Sequence, residues 1–196
     1  MSRFSMSSMA AAALLLASLS PALFAQAPGG RIEVRALFGA AVPAGPAEFS
    51  GRWNSGVGGS LGVEYRVAPQ TDIGASIEYQ HFGYTPDVFV SPDPMFRTKD
   101  PDGLLWAAWL DATRRLTLDP KLGARLHAGF GVVAMGAART GLGLRVGAGL
   151  DAPLSTHFSM IFDATFAHAF TQAEAEGYAL STPFSYLPLR AGVSWR

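Results

Sequence analysis

The sequence predicts an all-β protein: an eight-stranded antiparallel up-and-down transmembrane β-barrel, preceded by a cleavable signal peptide. Three observations support this prediction. Apolar residues recur at every second position from residue 31 onward. Short and long connections alternate between the predicted strands. Charged residues make up only 15% of the chain, whereas soluble domains carry about 25%.

The first 27 residues have the features of a secretory signal peptide. Arg3 supplies a cation, an apolar stretch follows it, and small residues follow Pro21. The triplet AQA at 25–27 fits cleavage after Ala27, and cleavage after Ala25 is the alternative because Pro28 would follow the first cut. The apolar stretch is shorter than the ~20 residues of a membrane-spanning helix. We therefore expect residues 1–27 to be removed and residues 28–196 to form a single barrel domain.

A periodicity of two predicts strands, because successive side chains of a strand point to opposite faces. Glycine at many alternate positions would destabilise helices in the same segments. The eight strands are predicted at residues 31–42, 58–67, 71–82, 103–118, 121–135, 139–152, 157–170 and 184–196.

The connections between these strands fall into two classes. Segments 68–70, 119–120 and 153–156 are short and carry proline or aspartate turn signals. Segments 43–57, 83–102 and 171–183 are longer, and 136–138 is a short exception. Short periplasmic turns and longer extracellular loops are typical of outer-membrane barrels. An even strand number then places both termini on the periplasmic side.

The two faces of the predicted strands differ in polarity. One face carries large apolar side chains, and the other carries glycines and ionisable groups. In hydrocarbon every backbone polar group must be bonded within the protein, so the sheet must close with its apolar face toward lipid. The charges then form a paired network in the lumen, with Asp151 on the same inward face. The predicted network comprises Glu33, Arg35, Glu64, Arg66, Glu78, Asp111, Arg125, His127, Arg145, Asp163 and Arg190.

A secreted lipocalin-like barrel is the alternative to a membrane barrel. Its faces are inverted, with apolar groups inside around a ligand and polar groups in water. The face with charges would then be the outer one. That face is rich in glycine, and the whole chain has only two lysines, Lys99 and Lys121. We therefore favour the membrane barrel.

The last predicted strand, LPLRAGVSWR at 187–196, resembles the terminal strand of bacterial outer-membrane proteins. Gly192 and the alternating apolar residues fit, although Arg196 replaces the usual final aromatic residue. With GLRVGAGLD at 143–151, the chain from about residue 30 resembles the small bacterial outer-membrane β-barrel superfamily, which includes OmpA-like transmembrane domains and opacity-type surface proteins. The resemblance implies a monomer in the outer membrane of a Gram-negative bacterium, in contact with lipid and lipopolysaccharide and inserted by the barrel-assembly machinery.

The sequence gives little support for binding of a cofactor, a metal or nucleic acid. The strings GFGVVA (129–134) and GAGLDA (147–152) match a dinucleotide fingerprint, but neither precedes a helix. The four histidines lack metal-ligand spacing, and there is no cysteine. A net charge of zero without a basic patch argues against nucleic acid. We expect no cofactor and no metal.

One stretch raises the possibility of hydrolysis. HFSM at 157–160 has the His-x-Ser pattern of lipid A deacylases, which are also eight-stranded barrels. Met160 stands where those enzymes have asparagine, and the stretch lies at the predicted periplasmic end. We therefore expect no catalytic residue.

The predicted loops are the remaining functional candidates. They contain Trp53, Phe89 and Phe96, and exposed apolar groups can mark a partner surface. A fold over the barrel mouth, or contact with lipopolysaccharide, is an equally good interpretation. The leading hypothesis is a non-catalytic barrel with a plugged polar lumen, acting in envelope integrity or in contact with an unknown surface ligand. The alternatives are a narrow porin-like conduit for small or apolar solutes and a lipid A-modifying hydrolase.

Overall fold

A computed structural model describes residues 32–46, 50–51, 53–84, 103–119, 121–135, 140–170, 174–175, 178–179 and 183–196. The predicted signal peptide and the candidate loop residues Phe89 and Phe96 lie outside these ranges. The described part of the chain contains no helix with the length and apolar character needed to cross a membrane.

Eight long strands form a closed antiparallel barrel, which confirms the predicted fold class. The eight barrel strands are β1 (Ile32–Gly45), β2 (Trp53–Ala68), β3 (Thr71–Tyr84), β4 (Gly103–Asp119), β5 (Leu122–Met135), β6 (Gly141–Pro153), β7 (Phe158–Phe170) and β10 (Phe184–Trp195). Two short strands, β8 (Glu174–Ala175) and β9 (Tyr178–Ala179), come between β7 and β10 in the sequence. The two short strands β8 and β9 pair with each other and stand apart from the barrel sheet.

The last barrel strand closes on the first. Val34 pairs with Trp195 at one end of the β1–β10 ladder, and Val42 pairs with Leu187 toward the other end. Both ends of the barrel sequence therefore lie at the same rim. Closure leaves no unpaired sheet edge, which is the condition for a sheet in hydrocarbon.

The connections alternate between tight turns and longer segments, as predicted. Segments 69–70 and 154–157 and residue Lys121 lie at the rim where β1 begins and β10 ends, which we call the turn rim, and the opposite end is the loop rim. Side chains bond the turn amides: the Ser155 hydroxyl accepts from the backbone N–H of Phe158 at 3.1 Å, and Asp119 accepts from that of Lys121 at 3.0 Å.

Seven of the eight predicted strands agree with the observed bounds to within three residues. The exception is β2, which begins at Trp53 rather than at residue 58. The segment WNSGV has the polar and glycine content of a loop, yet Val57 still pairs with His81. Pairing then resumes at Trp53 after a register shift. The ladder with β3 thus overrides the local sequence preference.

The outer wall is apolar on every barrel strand. Phe38 exposes 67% of its surface and Leu142 exposes 69%. Such a continuous apolar surface would be unfavourable in water and suits the hydrocarbon of a bilayer. The predicted alternation of faces is therefore correct on the outside.

The interior has two zones rather than the single charged zone that the sequence predicted. Charged groups fill the half toward the turn rim and the middle. The half toward the loop rim holds an apolar cluster of Ala41, Phe82, Leu105, Ala107, Trp109, Val133, Ala167, Ala169, Phe184 and Tyr186. The prediction was incomplete because β4 is apolar on both faces near its start, so that Leu105, Ala107 and Trp109 point inward.

Two inward glycines make room for large interior side chains. A β-carbon at Gly143 would lie 2.8 Å from Trp109 Cη2. A β-carbon at Gly147 would lie 2.3 Å from His127 Nε2 and 2.8 Å from the carbonyl oxygen of Ala164. Glycine at these positions lets the rings lie directly against the β6 backbone.

We predict that Gly147→Ala destabilises the barrel by about 1–3 kcal/mol, because the added methyl group overlaps a backbone oxygen that cannot move freely. Gly123→Ala is the matched control, since a β-carbon at Gly123 meets its nearest neighbours only at 3.6 Å. Urea unfolding in detergent, followed by tryptophan fluorescence, measures both variants. Equal unfolding midpoints for the two would contradict the prediction.

Candidate functional site: the interior charge network

The eleven residues of the predicted network all lie on the inward side of their strands. Most are buried, and Arg66 at the turn rim is the most exposed of the paired arginines, with 33% of its side chain accessible. Ion pairs among the described residues extend the network to seven arginines and seven carboxylates. They are Arg35, Arg66, Arg115, Arg125, Arg145, Arg190 and Arg196, with Glu33, Glu64, Asp72, Glu78, Asp111, Asp151 and Asp163.

The cluster nearest the turn rim is centred on Arg125. Its Nη1 lies 2.9 Å from Glu64 Oε2, and its Nη2 lies 2.8 Å from Asp151 Oδ2. Arg125 also pairs with Glu33. Glu33 is on β1, which lies directly across the ring of eight strands from β5. This ion pair therefore spans the full width of the lumen.

Arg115 and Arg196 surround the same carboxylates. Arg115 Nη2 lies 2.7 Å from Glu33 Oε2, and Arg115 also pairs with Asp72. Arg196 Nε lies 2.6 Å from Glu33 Oε2, and its Nη2 lies 3.0 Å from Asp151 Oδ2. The sequence prediction omitted Arg115, Arg196 and Asp72. The sequence did indicate Arg115 as an inward residue, since it lies an even number of positions after Asp111 on the same strand.

A second cluster, centred on Arg145, lies nearer the middle of the lumen. Arg145 Nε donates to Asp111 Oδ1 at 2.7 Å, and its Nη2 donates to Ser76 Oγ at 2.7 Å. Its guanidinium carbon lies 4.8 Å from the ring centre of Trp109. Trp109 Nε1 in turn donates to Glu78 Oε2 at 3.0 Å. Trp109 thus joins the charged middle of the lumen to the apolar cluster.

Asp163 completes the second cluster from β7, the strand next to the one that carries Arg145. Its Oδ2 lies 2.9 Å from His127 Nε2, and its Oδ1 accepts from the Thr165 hydroxyl at 2.7 Å. Arg190 Nη2 lies 3.5 Å from the same carboxylate, and Arg190 Nη1 lies 3.4 Å from Glu78 Oε2. Arg190 therefore links the carboxylates of β7 and β3, which face each other across the barrel.

Arg35 lies between the two clusters. Its Nη2 lies 2.6 Å from Glu64 Oε1. Arg35 and Arg190 also line a cavity of about 20 Å³ together with Ser60, Ser76 and other residues. The Nε atoms of both arginines lack a hydrogen-bond partner within the described ranges. The cavity is polar and large enough for one water molecule.

Trp53 is the one candidate loop residue within the described ranges. It lies in β2, is partly buried and packs against the apolar cluster inside the loop rim. It lies in a strand and not in the predicted loop, because β2 begins five residues earlier than the sequence indicates.

The His-x-Ser stretch does not bring its two groups together on one face. Ser159 is buried inside the barrel, whereas His157 is exposed in the β6–β7 turn. A different pair does form on the outward side near the loop rim: His168 Nδ1 lies 2.8 Å from Ser185 Oγ. An activated serine also needs a group that orients the histidine. No carboxylate of the described residues is bonded to this imidazole.

Comparison with protein-family models and with curated proteins finds no match. Comparison with solved structures does find related folds. Neisserial surface protein A is 14% identical, the match covers 85% of this chain and 97% of that chain, and the TM-score is 0.60. Outer membrane protein OprG from Pseudomonas aeruginosa is 10% identical over 84% and 94% of the two chains, with a TM-score of 0.49. The N-terminal β-barrel domain of Pseudomonas aeruginosa OprF is 17% identical over 84% and 96%, with a TM-score of 0.45. The chain has the fold of a small bacterial outer-membrane β-barrel.

Proposed function

We propose that this chain is an outer-membrane barrel with a plugged lumen, and that it acts without catalysis in envelope integrity or in surface contact through its loops. The observation that supports this proposal best is the network of seven arginines and seven carboxylates, which bridges opposite walls of the barrel.

The proposed location follows from the outer wall and from the N-terminal sequence. The exposed apolar side chains on all eight barrel strands need a lipid environment. A signal peptide at residues 1–27 would deliver the chain across the inner membrane. The turn rim, where β1 begins and β10 ends, then faces the periplasm, and the loop rim faces outward. Insertion by the barrel-assembly machinery, contact with lipopolysaccharide and a monomeric state are parts of the same proposal.

The plugged lumen follows from how the charges are paired. Arg125 is 2% exposed and bonds three carboxylates from three other strands. Removing charges from water costs several kcal/mol per ion, and multiple close partners are needed to offset that cost. A solute passing along the axis would have to separate these pairs in a medium of low dielectric constant. We therefore expect the network to block ions and polar solutes.

A role in surface contact is the proposal for the loops. The segment GYTPDVFVSPDPMFRTKDPDG at 83–103 contains Phe89 and Phe96 between several prolines. It joins β3 to β4 at the loop rim, which faces outward in the proposed orientation. Apolar side chains at such a position can contact a partner or the lipopolysaccharide. The ligand is a surface component of a host cell or of a neighbouring bacterium.

One observation favours a second candidate function, a narrow conduit for small apolar solutes. The loop half of the lumen is filled by buried apolar and aromatic side chains, including Phe82, Trp109, Phe184 and Tyr186. A plug that served only to close the barrel could be charged throughout. If these side chains moved aside, an apolar interior toward the outer rim would favour uncharged molecules of low polarity over ions.

We predict that Arg125→Ala destabilises the barrel by roughly 3–5 kcal/mol, because Glu33, Glu64 and Asp151 lose a buried partner. Arg66→Ala is the matched control: this arginine is partly exposed and its pair with Asp72, at 3.2 Å, should be worth at most about 1 kcal/mol. Urea unfolding in detergent measures both. A loss for Arg125→Ala no larger than for Arg66→Ala would show that the network does not stabilise the fold as described.

Planar-bilayer recording tests the plugged lumen. We expect the folded protein to give no stable conductance, because ion pairs bridge the lumen between opposite strands. Heat-modifiable migration on a detergent gel establishes beforehand that the sample is folded. Stable and reproducible conductance steps from the folded protein would contradict the plug and favour a conduit for ions.

The loop proposal is tested by Phe89→Ser/Phe96→Ser in whole cells. We expect this double variant to reduce adhesion to host or neighbouring cells, or to raise detergent sensitivity, toward the level of cells that lack the protein. Leu154→Ser is the control, since Leu154 is an exposed apolar residue in a turn at the opposite rim. If both variants match the unaltered protein in adhesion and in detergent sensitivity, these loop residues do not carry the function.

A further inference from the structure

We propose that the lumen contains a binding site for one small inorganic anion of halide size, such as chloride, held by the guanidinium groups of Arg35 and Arg190. The proposal goes beyond the proposed function, because the site rests on the cavity between these residues and not on whether the lumen conducts. Halide dependence of stability tests the site, and conductance tests the plug, so each can fail without the other.

The site is the cavity that lies between the two clusters of the charge network. It has a volume of about 20 Å³, and its lining residues come from β1, β2, β3, β5, β6, β7 and β10. It is therefore enclosed by the barrel and lies in the middle of the lumen. Small inward residues leave the space on one side: Ser60, Gly62 and Ser76 line it, and Gly62 pairs with Ser76 in the β2–β3 ladder.

The charged residues that line the cavity are mostly cations. Arg35, Arg145 and Arg190 contribute three guanidinium groups, whereas Asp163 contributes one carboxylate. That carboxylate is already engaged, since its Oδ2 lies 2.9 Å from His127 Nε2. His127 also lines the cavity and adds a fourth cation when its ring is protonated, and one bound anion then leaves the whole network neutral. A space lined by one sign of charge in a medium of low dielectric constant favours a counter-ion.

Arg190 is a buried cation without a close anionic partner. Its side chain is 2% exposed, yet its contacts with Asp163 Oδ1 and Glu78 Oε2 are 3.5 Å and 3.4 Å long. Arg125 is equally buried, and carboxylate oxygens lie 2.9 Å and 2.8 Å from its nitrogens. A buried guanidinium needs close partners to offset the loss of its hydration. A small anion in the cavity would supply the close partner that the two carboxylates do not.

The unbonded polar atoms of the residues around the cavity are all hydrogen-bond donors. Arg35 Nε, Arg190 Nε and Arg190 Nη1 are buried and have no hydrogen-bond partner among the described residues. None of the other buried polar atoms in the same condition belongs to a residue that lines the cavity. Arginine only donates hydrogen bonds, and a halide ion only accepts them. A water molecule would have to donate two hydrogen bonds of its own, so these atoms match a halide better than water.

The volume of the cavity restricts the class of anion. About 20 Å³ is enough for one species close to the size of a water molecule. Chloride and bromide are single atoms only a little larger than water. Sulfate and phosphate carry four oxygens around a central atom, and organic carboxylates carry a carbon group as well. The site therefore selects a monatomic anion.

Urea unfolding in two salts tests the site. The protein is refolded into detergent in sodium chloride or in sodium gluconate at the same ionic strength, and unfolding is followed by tryptophan fluorescence. A ligand that binds only the folded state lowers the unfolding equilibrium constant, by about tenfold for each tenfold rise in its concentration above the dissociation constant. We expect this decrease with chloride and not with gluconate, which is too large for the cavity. Equal stability in the two salts would overturn the proposal.

Ser60→Val is the variant that fills the cavity without removing a charge. Ser60 lines the cavity, and the larger valine side chain would take the space that the anion needs. Ser194→Val is the matched control, because Ser194 is a buried serine that does not line the cavity. We expect chloride to stabilise Ser194→Val as it does the unaltered protein, and to have no effect on Ser60→Val relative to gluconate. The same chloride dependence in both variants would overturn the assignment of the ion to this cavity.

Bromide locates the ion without any substitution. Crystals of the unaltered protein grown in sodium bromide should show a peak of anomalous X-ray scattering inside the cavity, in contact with Arg35 Nε and Arg190 Nε. This measurement decides the proposal even if Ser60→Val does not fold. Crystals grown in bromide that show no anomalous peak in the cavity, or only a water molecule there, would overturn the proposal.

Discussion

The structure depends on one constraint: in hydrocarbon each backbone N–H and C=O must find its partner within the protein. For a sheet this requires closure, and the β1–β10 ladder supplies it. Closure with eight strands leaves a lumen only wide enough for side chains. The alternation of side chains along each strand then determines what fills the lumen, because every side chain that does not face lipid must fit inside the barrel. Glycines such as Gly143 and Gly147 follow from this lack of space, since they stand where a ring lies against the wall.

The same constraint explains why the interior charges form a network and not isolated pairs. A buried ion is stable only if several partners replace its water. Arg125 reaches three carboxylates because β1 and β2 present Glu33 and Glu64 at paired positions, while β6 presents Asp151 beside it. Seven arginines against seven carboxylates leave the described network balanced in charge. Its bonds run between strands that are distant in sequence, so the network also fixes the shape of the barrel.

The alternation of inward and outward positions along each strand explains both what could be predicted from the sequence and what could not. Glu33, Arg125 and Arg145 were accessible to prediction because each lies at an inward position among clear outward neighbours. Arg115 was missed because it follows Arg114, and two adjacent arginines at a strand end do not indicate which of them points inward. The apolar interior near the loop rim was missed because β4 is apolar on both faces there. Partners across the lumen, such as Glu33 and Arg125, are set by strand order and register, which the pattern of a single strand does not contain.

The lumen is divided into a charged half and an apolar half, so the two ends of the barrel differ in the side chains that fill them. The charged half at the turn rim would hold the wall rigid there, because its ion pairs join opposite strands. Among the described residues, the apolar half is held instead by contacts between aromatic and aliphatic side chains, which are less directional than ion pairs. The two halves of the lumen thus differ in what holds them together: ion pairs between opposite strands act toward the turn rim, and packing of buried apolar side chains acts toward the loop rim.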